Sequence, residues 1–184
     1  QERWLQVKRD RDKAHNLFLA GAPFSDLKVF QLILASLPKK IQLQLGNSSV
    51  VRYAQLFDSD PTIPVFCNRG TSGIDGSTST AVGAAWYSKE QTVFISGDIS
   101  FFYDSNGLWN RYIKNDFRII LINNGGGGIF RILPGPKDSN VLEYFEYPHS
   151  LTAKQLAEMH GFSYCNVFSI EEIQRELESF YESS

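Results

Sequence analysis

"FRIILINNGGGGIF", residues 117–130, decides how the rest of the chain is read. Its first part is apolar at nearly every position, so both faces of a strand formed there are covered, which is the habit of a parallel sheet. The run then stops in two asparagines and four glycines. Glycine loses more backbone freedom on folding than any other residue. Four in a row at a strand's end therefore mark either a loose loop or a place where something must approach the backbone closely.

The same sequence of events recurs along the chain. "IQLQLG" (41–46), "IPVFCN" (63–68), "QTVFISG" (91–97) and "SYCNVF" (163–168) read as further short strands. Helical patterns separate them. "DLKVFQLILASL" (26–37) follows Ser25 as an N-cap and is ended by Pro38. "SVVRYAQLF" (49–57), "GSTSTAVGAAWYSK" (76–89) and "SNGLWNRYIKN" (105–115) come next. "TAKQLAEMHG" (152–161) stops at Gly161, and "SIEEIQRELESFYES" (169–183) is capped by Ser169, with Glu171 and Glu172 favourably placed in its first turn. Strand and helix in alternation predict a doubly wound parallel α/β sheet. Trp86, Trp109 and the aromatic run Phe101–Tyr103 are read as core. The stretch 131–150 has no clear period, and an irregular piece of that length is either functional or mobile.

Composition narrows the classes. The 184 residues suit one domain with a small appendage, and a hydrophobic fraction of 42% is enough for a core. A net charge of −2 and the lack of any basic motif argue against a nucleic-acid partner. Cys67 and Cys165 have neither metal-ligand spacing nor a disulfide framework, which suits a reducing, cytoplasmic setting. No run is long and apolar enough for stable insertion in a membrane. The N-terminus is charged, lacks both a signal-peptide core and an initiator methionine, and reads as a helix with Trp4, Leu5, Leu17 and Leu19 as its apolar points. Residues 1–24 are expected to be a linker helix following an absent domain, and residues 25–184 the domain itself.

In open parallel sheets, ligands bind beyond the carboxyl ends of the strands. Gathered there are Gly46, Asn47, Ser48 and Arg52; then Asn68, Arg69 and the glycine-rich stretch to Ile74; then Gly97 and Asp98; then Asn123, Asn124 and the glycines. A carboxylate from Asp98 and an amide oxygen from Asn124, with a backbone carbonyl, make the hard oxygen set that Mg²⁺ prefers. Bare glycines let N–H groups reach phosphate oxygens. Taken singly, Gly-Asp and Asn-Asn-Gly are also ordinary turn signals, and neither a dinucleotide fingerprint nor a P-loop is present. His15, His149 and His160 are assigned no chemistry.

Three stretches taken together resemble a known family. "GDISFFYDSNGLWNRYIKNDFRIILINNGG" (97–126) is similar to the thiamin diphosphate motif, which begins Gly-Asp and ends Asn-Asn. "GNSSVVR" (46–52) and "NRGTSGIDGSTSTAVG" (68–83) narrow the likeness to the C-terminal domain of the 2-succinyl-5-enolpyruvyl-6-hydroxy-3-cyclohexene-1-carboxylate (SEPHCHC) synthases, from about residue 25 to the end. The resemblance implies a thiamin-diphosphate-binding (PP-type) domain, with Mg²⁺, or Mn²⁺ in its place, on Asp98, Asn124 and the Gly126 carbonyl. It implies that Gly97, Asp98 and residues 125–128, Gly128 included, surround the diphosphate. Ile74 would support the bent cofactor, and Ile129 and Phe130 would line its pocket. Ser48, Arg52 and Arg69 would face the substrates, 2-oxoglutarate and isochorismate. Gly128 departs from some family members, which carry a larger polar residue there.

The implied reaction decarboxylates 2-oxoglutarate and adds the succinyl unit to isochorismate, on the route to menaquinone. The resemblance further implies a homo-oligomer whose activating glutamate lies on the pyrimidine-binding domain of a second subunit, so that this chain holds no catalytic residue of its own and is inactive alone. Two other readings stand beside it: another thiamin-diphosphate enzyme, of acetohydroxyacid synthase or 2-oxoacid decarboxylase type, or a non-catalytic α/β assembly module.

Overall fold

A computed structural model describes residues 1–182. Helix α1 (Glu2–Ala20) is exposed along nearly its whole length, with only Leu19 buried. Helix α2 (Asp26–Ser36) follows. Ser25 has the extended backbone of an N-cap, but its hydroxyl donates to the Pro23 carbonyl and not to the helix. Strand β1 (Ile41–Leu45), helix α3 (Ser49–Ala54), strand β2 (Val65–Cys67) and helix α4 (Ser77–Tyr87) come next, then strand β3 (Gln91–Gly97). Helix α5 (Asp98–Tyr103) opens directly from β3, and strand β4 (Phe117–Ile122) completes the sheet. Three helices remain: α6 (Leu142–Glu146), α7 (Lys154–Met159) and α8 (Ile170–Phe180). None of the described helices is long and apolar enough to cross a membrane.

Among the described residues the sheet has four strands, ordered β2-β1-β3-β4, and every pairing is parallel. Side chains of β3 divide between its faces by simple alternation. Val93 and Ile95 pack with Phe30 and Ile33 of α2, Val50 and Val51 of α3 and Ile173 of α8. Phe94 enters the opposite cluster, with Ala81, Val82 and Ala85 of α4 and Phe101 of α5. Layers on both faces are what the apolar strands call for. "IQLQL" alternates as if one face met water, yet all five of its residues are buried. The Gln42 amide donates to Thr92 Oγ1 at 2.8 Å and to the Ala84 carbonyl at 3.2 Å, which satisfies it under α4.

Several sequence expectations are corrected. Ser163–Phe168 has no regular secondary structure and joins no strand: Tyr164 and Val167 are half-buried against the two cores, without ladder bonds to β4. The expected helix over 105–115 is a single 3-10 turn, Ser105–Leu108. Beyond it Asn110 donates to the Gly107 carbonyl and accepts from the Tyr112 amide, so a short polar side chain competes with the helix ladder. Trp86, Tyr103 and Trp109 are 47%, 69% and 84% exposed, so of the aromatics read as core only Phe101 is buried. Helix α5 is absent from the sequence reading. The Ser169 cap is present, its hydroxyl accepting from the Glu172 amide at 3.1 Å. The expected end of that helix at Ser183 lies outside the described residues.

Gly107 faces the first turn of α4. A Cβ there would stand 2.9 Å from the Ser79 amide nitrogen and 3.1 Å from its Cα. Ser79 cannot retreat, because the Asp104 carboxylate accepts from both its amide and its hydroxyl at 2.7 Å. Gly107→Ala is expected to lower stability by about 1–3 kcal/mol through overpacking against backbone, read from the midpoint of urea unfolding.

Candidate functional site

β3 and β4 pair to their ends, with Gly97 opposite Ile122. The residues just past the two strands are therefore forced together: Asp98 after one, Asn123 to Gly128 after the other. Asp98 is 3% exposed. Its Oδ1 accepts from the Ile99 amide at 2.7 Å in the first turn of α5. Its Oδ2 accepts from the amides of Gly125 at 2.9 Å and Gly126 at 3.0 Å. Backbone N–H groups thus converge on this carboxylate as they would on an anion.

The glycines divide by need. Gly125 and Gly126 have φ of +79° and +149°, conformations that other residues rarely adopt. A Cβ on Gly126 would lie 2.7 Å from the Glu146 carbonyl oxygen, and one on Gly127 would lie 3.2 Å from that of Phe145. Gly128 is different: a Cβ there would meet nothing closer than Asn124 Nδ2 at 3.4 Å, an ordinary contact. The close approach in this structure comes from the chain itself. The returning segment 145–149 accepts from Gly127 N through Glu146 O, at 2.6 Å, and donates from His149 N to Gly125 O at 3.1 Å. Residues 131–150 are thus not wholly irregular, since α6 packs on the glycine loop and Arg131 pairs with the buried Glu146.

That return also brings in His149, for which no role is expected from the sequence. Its Nε2 lies 3.3 Å from Asp98 Oδ2, with both side chains almost fully buried. Nδ1 accepts from the Leu151 amide at 3.1 Å, so in the neutral ring the proton sits on Nε2, which is buried and makes no well-aimed hydrogen bond among the described residues.

A cavity of about 350 Å³ opens beside this cluster. Ser48, Ile74, Gly97, Asp98, Asn124, Gly126, Gly128 and Phe130 all line it. Ile129 is buried and is not part of the wall. The Ile74 carbonyl accepts from Ser100 Oγ of α5, which fixes where the Ile74 side chain begins. Asn124 Nδ2 donates to Asp26 Oδ2 at 2.9 Å, and among the described residues no hydrogen bond reaches its Oδ1. The Gly126 carbonyl accepts from the Gly128 amide at 3.0 Å. An anionic carboxylate, an amide oxygen and a carbonyl on residues that line one cavity fit a hard divalent cation; the four glycine amides are already committed within the chain, to Asp98, to the Glu146 carbonyl and to the Gly126 carbonyl.

Arg52 and Arg69 are exposed and do not line the cavity. Both are tied to the turn after β1 that does. Arg52 Nη1 donates to the Ser48 carbonyl at 2.8 Å, and Arg69 Nη1 donates to Asn47 Oδ1 at 3.0 Å. Among the described residues neither guanidinium pairs with a carboxylate. Ser48 itself has φ 68° and ψ −128°, a strained conformation of the kind found where structure is shaped for function.

Comparison with known proteins agrees with this geometry. The family model described as "Thiamine pyrophosphate enzyme, C-terminal TPP binding domain" matches residues 45–184. Curated relatives named 2-succinyl-5-enolpyruvyl-6-hydroxy-3-cyclohexene-1-carboxylate synthase include one from Flavobacterium psychrophilum, 60% identical over 87% of this chain and 29% of the relative. Those from Flavobacterium johnsoniae and Christiangramia forsetii are 59% and 53% identical, over 91% and 97% of this chain and 30% and 31% of the relatives. The chain thus spans under a third of the relatives' length. In fold it is similar to a benzoylformate decarboxylase from Polynucleobacter necessarius, with a TM-score of 0.69 at 14% identity, over 89% of this chain and 32% of that one. It is equally similar to a thiamine diphosphate-dependent 4-hydroxybenzoylformate decarboxylase from Rhodococcus jostii, with a TM-score of 0.68 at 22% identity, over 86% and 30%. A parallel sheet that ends in a buried carboxylate and a glycine loop, matched by a family model over most of its length, places the chain in the family of C-terminal TPP-binding domains of thiamine pyrophosphate enzymes.

Proposed function

We propose that this chain is the cofactor-holding domain of a SEPHCHC synthase, the cytoplasmic enzyme that decarboxylates 2-oxoglutarate and adds the succinyl unit to isochorismate. The observation that carries the reading is the pair of guanidiniums, Arg52 and Arg69, held at one turn beside the cavity and, among the described residues, left without carboxylate partners. A polyanionic substrate pair suits them, because guanidinium binds carboxylate in bidentate fashion. The relatives' shared name gives those carboxylates an identity.

Asp98, Asn124 and the Gly126 carbonyl would hold Mg²⁺, or Mn²⁺ in its place. Gly97, Asp98 and the glycine loop would surround the diphosphate, Ile74 would support the bent cofactor, and Ile129 and Phe130 would keep its surroundings apolar. Thiamin diphosphate, when bound, supplies the stabilisation of a carbanion equivalent. The chain's own part is to orient: Ser48, Arg52 and Arg69 place substrate carboxylates over the cavity and offset their charge, and the apolar wall excludes water. The activating glutamate belongs to the pyrimidine-binding domain of a second subunit in a homo-oligomer, and this chain by itself is expected to be inactive.

Product analysis of the complete enzyme tests the reading. With thiamin diphosphate, Mg²⁺, 2-oxoglutarate and isochorismate, SEPHCHC should form. Acetolactate from pyruvate, or free aldehyde from a 2-oxoacid without an acceptor, as the dominant product would replace it with a synthase or decarboxylase of another substrate class.

A further inference from the structure

Asn47 is 1% exposed, one of the most deeply buried polar side chains among the described residues; it lines the cavity beside Ser48 but makes no hydrogen bond to a residue assigned to cofactor or metal. Its Nδ2 donates to two carbonyls of the loop after β2, Asn68 O at 2.9 Å and Gly73 O at 2.6 Å. Its Oδ1 accepts from Arg69 Nη1 at 3.0 Å, with the half-buried Cys67 thiol 3.4 Å away on the same oxygen. Both ends of one amide are therefore committed to a single loop, and one of the commitments fixes a cation. The next residue completes the arrangement, because the Ser48 carbonyl accepts from Arg52. The turn 47–48 holds both guanidiniums at adjacent anchor points, and burial of the Asn47 amide removes the water that would otherwise compete for Arg69.

Resting on the reading of Arg69 as a substrate-facing residue, we propose that Asn47 is a positioning residue that fixes the Arg69 guanidinium, relative to Arg52, at the separation required by a substrate carrying two carboxylates. An arginine on an exposed loop has long side-chain freedom, and a single charge-assisted bond to a buried acceptor removes much of it before substrate arrives.

The test is a double-mutant cycle in the complete enzyme with N47A, R69A and the pair, followed through KM for 2-oxoglutarate, kcat and the Kd for thiamin diphosphate with Mg²⁺. N47A is expected to raise KM by about tenfold or more, the scale of a lost charge-assisted bond. Cofactor Kd should hold within about twofold, and the pair should be no worse than R69A alone, because the two residues act as one unit. The change should fall on KM, with kcat within about threefold of the parent, whereas a merely structural loss would lower kcat as well. If N47A does not accumulate as folded enzyme, N47S replaces it in the cycle: its shorter hydroxyl can serve a loop carbonyl but falls short of the guanidinium. A raised KM in R69A with an unchanged KM in N47A, additive effects in the pair, or a fall in kcat with KM unchanged in N47A would overturn the inference alone. An unchanged KM in R69A would overturn the substrate-facing reading, and the inference with it.

Discussion

Asp98→Ala should weaken the binding of thiamin diphosphate in the presence of Mg²⁺ by on the order of 100-fold or more, beyond the 10–100-fold typical for loss of a residue that only supports a metal ligand. Asp98 supplies the one anionic oxygen of the proposed metal set, and its carboxylate also organises the amides of Ile99, Gly125 and Gly126. Removing it leaves the two glycine amides without their acceptor, a cost of about 1–3 kcal/mol in a buried setting. Calorimetric titration of the complete enzyme, with and without Mg²⁺, separates the two effects. The parent should bind the cofactor far more tightly with Mg²⁺ than without. In Asp98→Ala the two titrations should coincide. A variant that still responds to Mg²⁺ as the parent does would show that the metal sits elsewhere.

Phe94→Ala should destabilise the chain by about 3–5 kcal/mol, the usual range for a fully buried aromatic truncated to alanine. Phe94 is 1% exposed on β3, one of the two inner strands of the sheet. Its neighbours on α4 are Ala81, Val82 and Ala85, small side chains with no freedom to swing into the gap. The cavity would therefore stay open, and with it the seat of α5, the helix that starts at Asp98. Phe66 offers the control: it lies on the edge strand and is 49% exposed, so its alanine variant should cost less than about 1 kcal/mol. Urea unfolding followed by far-ultraviolet dichroism measures both.

Much of this arrangement was legible in the residues, for a physical reason. Strands covered on both faces tend to be apolar along their length, so β3 and β4 announce themselves, whereas β1 shows only through the alternation of its apolar residues with glutamine, and strand-end polar residues follow from the topology. Asp98 and Asn124 could be paired in advance because adjacent parallel strands end at one edge. The failures have equally specific causes. Ser163–Phe168 carries a strand's alternation, but a ladder depends on a neighbour's backbone and not on local composition. The helix expected after Ser105 was displaced by Asn110, whose side chain bonds to backbone nearby. His149 gave no local signal at all: its contact with Asp98 exists only because 131–150 doubles back over the glycine loop. Asn47 stood in view at the end of β1, yet its two-ended role depends on a loop more than twenty positions further along the chain.

The all-parallel pairing of the sheet has a consequence for how the chain is made. Gln42 and Thr92, bonded side by side in the finished sheet, are 50 positions apart in sequence. At a synthesis rate of about 5–20 residues per second, β1 leaves the ribosome roughly 3–10 seconds before its main partner. Among the described residues the one strand that emerges before β3 and pairs with β1 is β2, a three-residue edge strand; α2 and α3 can cover Ile41, Leu43 and Leu45 by then, but they offer the strand no ladder. Closing so distant a contact slows folding, and an unpaired apolar strand is a template for the wrong neighbour. The nascent chain is therefore most exposed to aggregation, and most in need of a chaperone, in the interval between the emergence of β1 and that of β3.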